Sequence, residues 1–253
     1  MRPMLLSIML LFALPASSVE APGTVPATAQ VAASATTRAT ASATAATPQA
    51  TPTAPDNDLI LSEISSQYSP LYYPALMARY RDGDTTLTAH EFVCLYYGYP
   101  FQESYRPLSP APAATNDLLD RFAANIEPDS AQCAELVSLG ERVFDAEPFN
   151  LQVINLLTFA YGRLGDKKME RTNYFRLRNV INTITSSGTG LAERSPWHVI
   201  YFANAIETLT SMGLHPGRRL VASRTVEYVS LLVRNGPVRG YYFDFGRIYM
   251  KKP

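Results

Sequence analysis

From residue 58 onward, stretches with apolar residues at helical spacing are separated by short polar breaks. Side chains three and four positions apart share one helix face, so each stretch predicts a helix with one buried side. Leu59, Ile60 and Ile64, followed by Tyr68, predict a short opening helix. Leu71, Ala75, Leu76 and Tyr80 predict a second within 70–81, ended by the turn Asp82-Gly83-Asp84. Thr88-Ala89-His90-Glu91 has the form of a capping box, in which the hydroxyl accepts from an orphan amide and the glutamate reaches back. A third helix through Phe92, Leu95 and Tyr96 therefore starts there and stops at Gly98. Beyond a proline-rich irregular segment, helices are predicted over 116–125 and from Asp129, the latter with Cys133, Leu136, Val137, Gly140 and Phe144 on one stripe. Pro148 breaks that helix. The next, over 150–164, is apolar nearly all round, as a central helix should be. Gly165-Asp166 closes it and caps a further helix that turns Met169, Leu177, Val180, Ile181 and Ile184 inward until Ser187-Gly188.

After Trp197 the period changes. Val199, Tyr201 and Ala203 alternate with their neighbours as a strand does, and Thr225 to Val233 is β-branched and alternating. Asn235-Gly236 is a turn signal before a strand at Tyr241 to Phe245. Residues 205–212 suit a helix or a strand. The expected fold is α+β: one domain over 57–253, mainly helical over 57–188 and mainly β over 196–250, with a small antiparallel sheet packed on the helices.

The residues ahead of this domain carry a different pattern. Arg2 precedes an apolar run, Met4 to Leu14, closed by Pro15 and small residues, the layout of a secretory signal peptide over 1–18. The run is too short to span a bilayer, which takes about 20 apolar residues. Residues 19–56 form an Ala/Thr/Pro/Ser tract too poor in large apolar groups to repay chain ordering, so it reads as a disordered linker. The expectation is an exported protein, periplasmic or secreted, with no membrane span after signal cleavage. No cysteine follows the apolar run, so no lipid anchor is expected.

Charge narrows the function classes. Lys plus Arg and Asp plus Glu stand at 22 each, so no global field attracts nucleic acid or an anionic membrane. The nearest basic cluster, Lys167, Lys168, Arg171, Arg176 and Arg178, reads as the solvated face of a helix. The two cysteines, Cys94 and Cys133, would meet an oxidising compartment, where a pair tends to become a disulfide. The expectation is therefore a Cys94–Cys133 bridge or, failing that, simple packing of the two thiols.

No catalytic set is complete. Counted as a calcium loop from Asp82, the sequence puts Leu87 where glycine is needed and Val93 where an acid is needed, so Asp82 and Asp84 read as turn residues. His90 and Cys94 lie one helical turn apart. With Cys133 they would offer three zinc ligands at most, and an imidazolium beside the thiol would make Cys94 a nucleophile. Glu91 completes this small set of candidate catalytic residues. Ser186 to Gly190 lacks the Gly-x-Ser-x-Gly form of a hydrolase elbow and reads as a helix end and loop. No metal or other cofactor is expected.

Aromatic density is the unusual feature. Eight of the fifteen tyrosines fall between Tyr68 and Tyr105. Tyr72, Tyr73, Tyr97, Tyr99 and Tyr105 either line a groove that stacks on sugars or peptide prolines, or form the core of the N-terminal half with each hydroxyl partnered. The expected function is a non-enzymatic binding or interaction module for an unknown envelope protein, peptide or glycan. The alternative is a hydrolase using His90 or Cys94.

Two resemblances add to this. Pro148 to Asp166, with a proline-led helix, Ala160-Tyr161 and a Leu-Gly-Asp turn, resembles a single tetratricopeptide-type helical hairpin. Arg79-Tyr80-Arg81-Asp82-Gly83-Asp84-Thr85-Thr86-Leu87-Thr88, Leu95-Tyr96-Tyr97-Gly98-Tyr99, Phe101, Tyr105, Asp145-Ala146-Glu147-Pro148-Phe149-Asn150 and Gly240-Tyr241-Tyr242-Phe243-Asp244 resemble an uncharacterised family. It is domain of unknown function 4919, found in exported proteins of Gram-negative bacteria. The resemblance implies envelope or periplasmic residence and no reaction.

Overall fold

Local capping chemistry sets most of the helix starts. In the computed structural model, which describes residues 52–109, 113–124 and 127–250, helix α1 (Asn57–Ser65) opens at Asp56, whose carboxylate accepts from the amides of Asp58 and Leu59 at 3.0 and 3.1 Å. The signal segment 1–18 and nearly all of the tract over 19–56 lie outside the described residues. Helix α2 (Tyr73–Arg81) has Pro74 in its first turn, and α3 (Ala89–Gly98) carries both halves of the Thr88–Glu91 box. Helix α4 spans Ala113–Ala124, and a second reciprocal box, Asp129 with Gln132, opens α5 (Ser130–Ala146). Asn150 caps α6 (Leu151–Leu164), and Gly165 ends it at φ 80°, a conformation glycine takes at little cost. Asp166 then caps α7 (Lys167–Thr185). Residues left open between helix and strand form α8 (Asn204–Ser211).

Helices α4 to α7 pack in sequence order, each on the next, and α3 packs on α1, α2 and α7. Among the described residues no helix is long and apolar enough to cross a membrane.

The chain is α+β as expected, but its sheet is mixed rather than antiparallel. Strands β1 (Trp197–His198), β2 (Pro216–Val221), β3 (Val226–Asn235) and β4 (Val238–Asp244) lie in the order β1-β4-β3-β2. The last three form an antiparallel meander, while β1 runs parallel to β4 with Trp197 opposite Phe243 and His198 opposite Asp244. Strand β2 was not foreseen, because Pro216-Gly217-Arg218-Arg219 shows no apolar alternation.

The strand expected through Ala203 stops after His198, and tyrosine hydroxyls explain why. The Val199 amide still donates to the Asp244 carbonyl at 3.1 Å. At Ile200 the amide instead donates to the Tyr96 hydroxyl (3.3 Å), and its carbonyl accepts from the Tyr105 hydroxyl. Phenol groups thus occupy the donor and acceptor that a β ladder would use. A buried backbone group needs one partner and is indifferent to its source.

The basic cluster on α7 also needs correction. Arg171 and Arg178 are exposed, but Arg176 is buried and its guanidinium reaches the carbonyls of Tyr80 and Arg81 at the end of α2. It is a packing element, not part of a solvated face.

Candidate functional site

Four of the five tyrosines considered for a ligand groove (Tyr73, Tyr97, Tyr99 and Tyr105) are at most 5% exposed and form core, with Tyr105 also bordering an open surface pocket beside Arg106, Leu108 and Ile248. Tyr72 is half-buried at the start of α2. Their rings and neighbours pack edge-on around Phe149, which lies 5.5 Å from Tyr96 and 5.4 Å from Tyr99 and stacks on Tyr80 at 5.3 Å. Each buried phenol is spent on an interior acceptor. Tyr73 donates to the Leu95 carbonyl (3.0 Å), Tyr80 to Pro148 (2.9 Å), and Tyr99 to Ala146 (3.4 Å). Tyr97 reaches the carbonyls of Thr183 and His198 at 3.3 and 3.1 Å. Burial raises the hydroxyl pKa of Tyr73, Tyr96 and Tyr97, keeping these groups protonated as donors.

This pattern makes a direct prediction. The Tyr96 hydroxyl donates to Asn204 Oδ1 at 2.7 Å while accepting from the Ile200 amide. Tyr96→Phe leaves both groups buried without that partner and is expected to lower stability by about 1–2 kcal/mol in urea unfolding. Tyr72→Phe, at a half-buried helix end, should leave the transition in place.

The capping box holds Glu91 away from His90. The Glu91 carboxylate accepts from the Thr88 amide (2.7 Å) and hydroxyl (2.9 Å) and pairs with Arg79, which also pairs with Asp84 at 2.8 Å. Burial pushes the Glu91 pKa up, but the bonds from Thr88 and Arg79 outweigh it and hold it low. Asp84 accepts from the Thr86 amide (2.8 Å) and hydroxyl (2.6 Å), a turn built on an aspartate side chain.

His90 and Cys94 instead meet Glu63 of α1. His90 Nε2 lies 3.2 Å from Glu63 Oε1, and the Cys94 thiol donates to Glu63 Oε2 at 3.4 Å. Burial, then the bond to and charge of Glu63, push the thiol pKa up to about 12. A nucleophilic cysteine needs the opposite environment, a neighbouring cation that stabilises thiolate. Glu63 carries no local motif, so the sequence did not single it out.

The expected disulfide is absent. Cys94 and Cys133 are both free and buried. Cys94 on α3 faces Glu63, whereas Cys133 on α5 faces the Pro128 carbonyl at 3.7 Å, so each sulfur is held by its own local partner. Cys133 likewise takes no part in the Glu63–His90–Cys94 group.

A second acidic residue escaped sequence reading. Glu207 lies on α8, in the stretch left open between helix and strand. Its carboxylate accepts from Asn204 Nδ2 at 3.0 Å and from the backbone amides of Leu151 and Gln152 at the start of α6. Burial raises its pKa to about 7, and these hydrogen bonds only partly offset that.

The most exposed apolar side chains of the sheet gather on β2 and β3. Leu220 and Val221 on β2 are 54% and 80% exposed, and Leu232 and Val233 on β3 are 77% and 62%. Leu220, Tyr228 and Tyr242 stand in cross-strand register, with the two tyrosine rings 5.0 Å apart. Residues 213–240 hold five arginines and one glutamate, a local excess that the balanced whole-chain charge conceals. Arg219 pairs with Glu227 at 2.6 Å, whereas Arg218, Arg224, Arg234 and Arg239 are exposed and make no ion pair among the described residues.

Residues 58–252 match a family described as a domain of unknown function, DUF4919. The chain belongs to this family. Comparison with curated proteins and with solved structures gives no match. The DUF4919 match spans all eight helices and four strands named above except the first residue of α1. The motif residues quoted for the resemblance occupy the scaffold of the DUF4919 domain. Arg79, Asp84 and Thr88 fix the α2–α3 corner, Tyr80 and Phe149 centre the aromatic core, and Tyr241 stacks on Trp197 at 4.5 Å. These residues hold the elements in place.

Proposed function

We propose that this DUF4919 protein is an exported, non-catalytic binding module. In this reading the tetratricopeptide-style helix pair is its scaffold and the outer face of the β2–β3–β4 meander is its contact surface. The carrying observation is that Leu220 and Leu232 are exposed on the face that carries Tyr228 and Tyr242, among four arginines of the same meander that make no ion pair among the described residues. Arginine and tyrosine around exposed aliphatics is the composition of protein-binding patches, and scattered surface leucines need no such company. The charge selects an acidic protein or peptide segment. The outer strand offers little to indiscriminate strand addition, because Pro216, a register shift after it and the adjacent charges of Arg218 and Arg219 guard it. Side-chain contacts therefore supply the affinity. The leader pattern at Arg2 and Met4–Leu14 supports export.

The test compares wild type with Leu220→Asp/Leu232→Asp and with Arg218→Glu/Arg234→Glu as baits for envelope proteins cross-linked in the native host. A partner captured by wild type should fall at least tenfold with both variants and weaken as salt rises. Equal capture by all three proteins overturns the assignment of this surface.

A further inference from the structure

We propose that Glu63, His90 and Cys94 form a binding site for a zinc-class divalent cation that clamps α1 to α3. The inference stands apart from the binding-surface reading and uses none of its residues. The three side chains present a carboxylate oxygen, an imidazole nitrogen and a sulfur, all within 4.8 Å of one another. Glu63 is central, with Oε1 at 3.2 Å from His90 Nε2 and Oε2 at 3.4 Å from Cys94 Sγ. A tetrahedral zinc with bonds of about 2.0–2.3 Å holds its ligand atoms roughly 3.3–3.6 Å apart. Glu63 now presents a different oxygen to each partner, so one oxygen turns toward both, a side-chain adjustment of about 1 Å from ligand atoms already within 4.8 Å of one another.

The ligand set selects the ion class. One sulfur, one imidazole and one carboxylate suit zinc and its borderline neighbours, while calcium and magnesium call for several oxygens. The scaffold is already fixed on both sides. His90 and Cys94 sit one turn apart on α3, whose first turn is held by the Thr88–Glu91 box and by Arg79. Glu63 is held by the burial of Ile60 and Ile64 on the same helix, α1, which packs on α3. The His90 side chain is 56% exposed, which opens a route from solvent and leaves the fourth coordination position to water. On binding, the Cys94 S–H bond breaks, its proton passes to buffer and a sulfur–metal bond forms, with no change in oxidation state. The ion sheds water to take the three protein ligands.

The same distances arise from an ion pair and a thiol–carboxylate hydrogen bond without any metal, so the test must separate the two. The reduced full chain is titrated with zinc chloride alone and followed by calorimetry. Cobalt(II) serves as the spectroscopic probe. The expected result is one zinc per chain with a dissociation constant of about 10 μM or tighter. A thiolate-to-cobalt charge-transfer band should accompany the visible bands of a tetrahedral ion. Zinc at a hundredfold excess over that constant should raise the melting temperature by about 5–10 °C. His90→Ala, at an exposed position, should weaken binding at least tenfold while leaving the zinc-free melting temperature unchanged. Cys94→Ser should abolish the charge-transfer band. Absence of saturable one-to-one binding below about 100 μM, or affinities within threefold of wild type in both variants, overturns the site.

Discussion

Arg176→Ala is expected to lower unfolding free energy by about 3–5 kcal/mol, the largest single-residue effect anticipated in this protein. Arg176 is 3% exposed, and its guanidinium donates to the Tyr80 carbonyl (3.0 and 3.2 Å), the Arg81 carbonyl (2.7 Å) and Asn173 Oδ1 (2.9 Å). It therefore supplies the C-terminal cap of α2 from a helix far along the chain, where carbonyl dipoles favour a cation. The same group lies over the Phe144 ring at 4.6 Å. Burial depresses its pKa from the usual arginine value. Truncation thus removes the cap, takes the guanidinium from the Arg81 carbonyl, leaves the Tyr80 carbonyl with the Gly83 amide alone, and opens a cavity beside Phe144 and Tyr80. Arg176→Lys should recover only part of the loss, because one ammonium cannot span the fork of acceptors. Arg178→Ala, on the exposed side of the same helix, should change stability by less than about 0.5 kcal/mol. A loss below about 1 kcal/mol for Arg176→Ala in urea unfolding would show that this cap is not needed.

The second large effect is a pH dependence carried by Glu207. Its folded pKa of about 7 lies above the ordinary 4.5, so the folded state holds the proton more tightly than the unfolded state does. The associated stability is fully present below the unfolded value and is lost as pH rises through about 7. Glu207→Gln does not titrate. The stability of wild type relative to Glu207→Gln should therefore fall by about 2–3 kcal/mol between pH 4.5 and pH 8. Asp84, Glu91 and Asp244 have lowered pKa values and are present in both proteins, so their contribution cancels in the difference. A difference that stays within about 0.5 kcal/mol over that range would place the Glu207 carboxylate in contact with water.

Much of the helical half was legible because caps are local. Thr88 with Glu91, Asp129 with Gln132, and Asn150 with the Val153 amide each act over three residues, so sequence spacing alone locates them. The end of the first strand was not legible. Val199 to Ala203 alternates as a strand should, yet Tyr96 takes the Ile200 amide from 104 residues away. The tyrosine-rich segment raised a real choice between groove and core. Ring chemistry is the same in both, and only the placement of carbonyls such as those of Pro148, Thr183 and His198 decides it.

The candidate sites divide in the same way. His90 and Cys94 were legible as neighbours because one helical turn joins them. Their partner was not, since Glu63 stands 31 residues before Cys94 in an unremarkable polar position. Cys133 was a reasonable partner by compartment chemistry alone, but α5 keeps its sulfur against the Pro128 carbonyl. Glu207 carries no local sign of its environment, which the start of α6 supplies.

By itself, then, the amino-acid order determined most of the helix limits up to α7, the α+β class and the turn at Asn235-Gly236. Periodicity and capping act within a few residues, which is why that information is present in one dimension. Tertiary structure alone decided that Arg176 is buried, that the tyrosines fill the core and that β1 lies parallel to β4. It also decided that Glu63 meets His90 and Cys94. Each of these depends on a carbonyl, carboxylate or strand edge brought from another element, and its free energy exists only once those elements have packed.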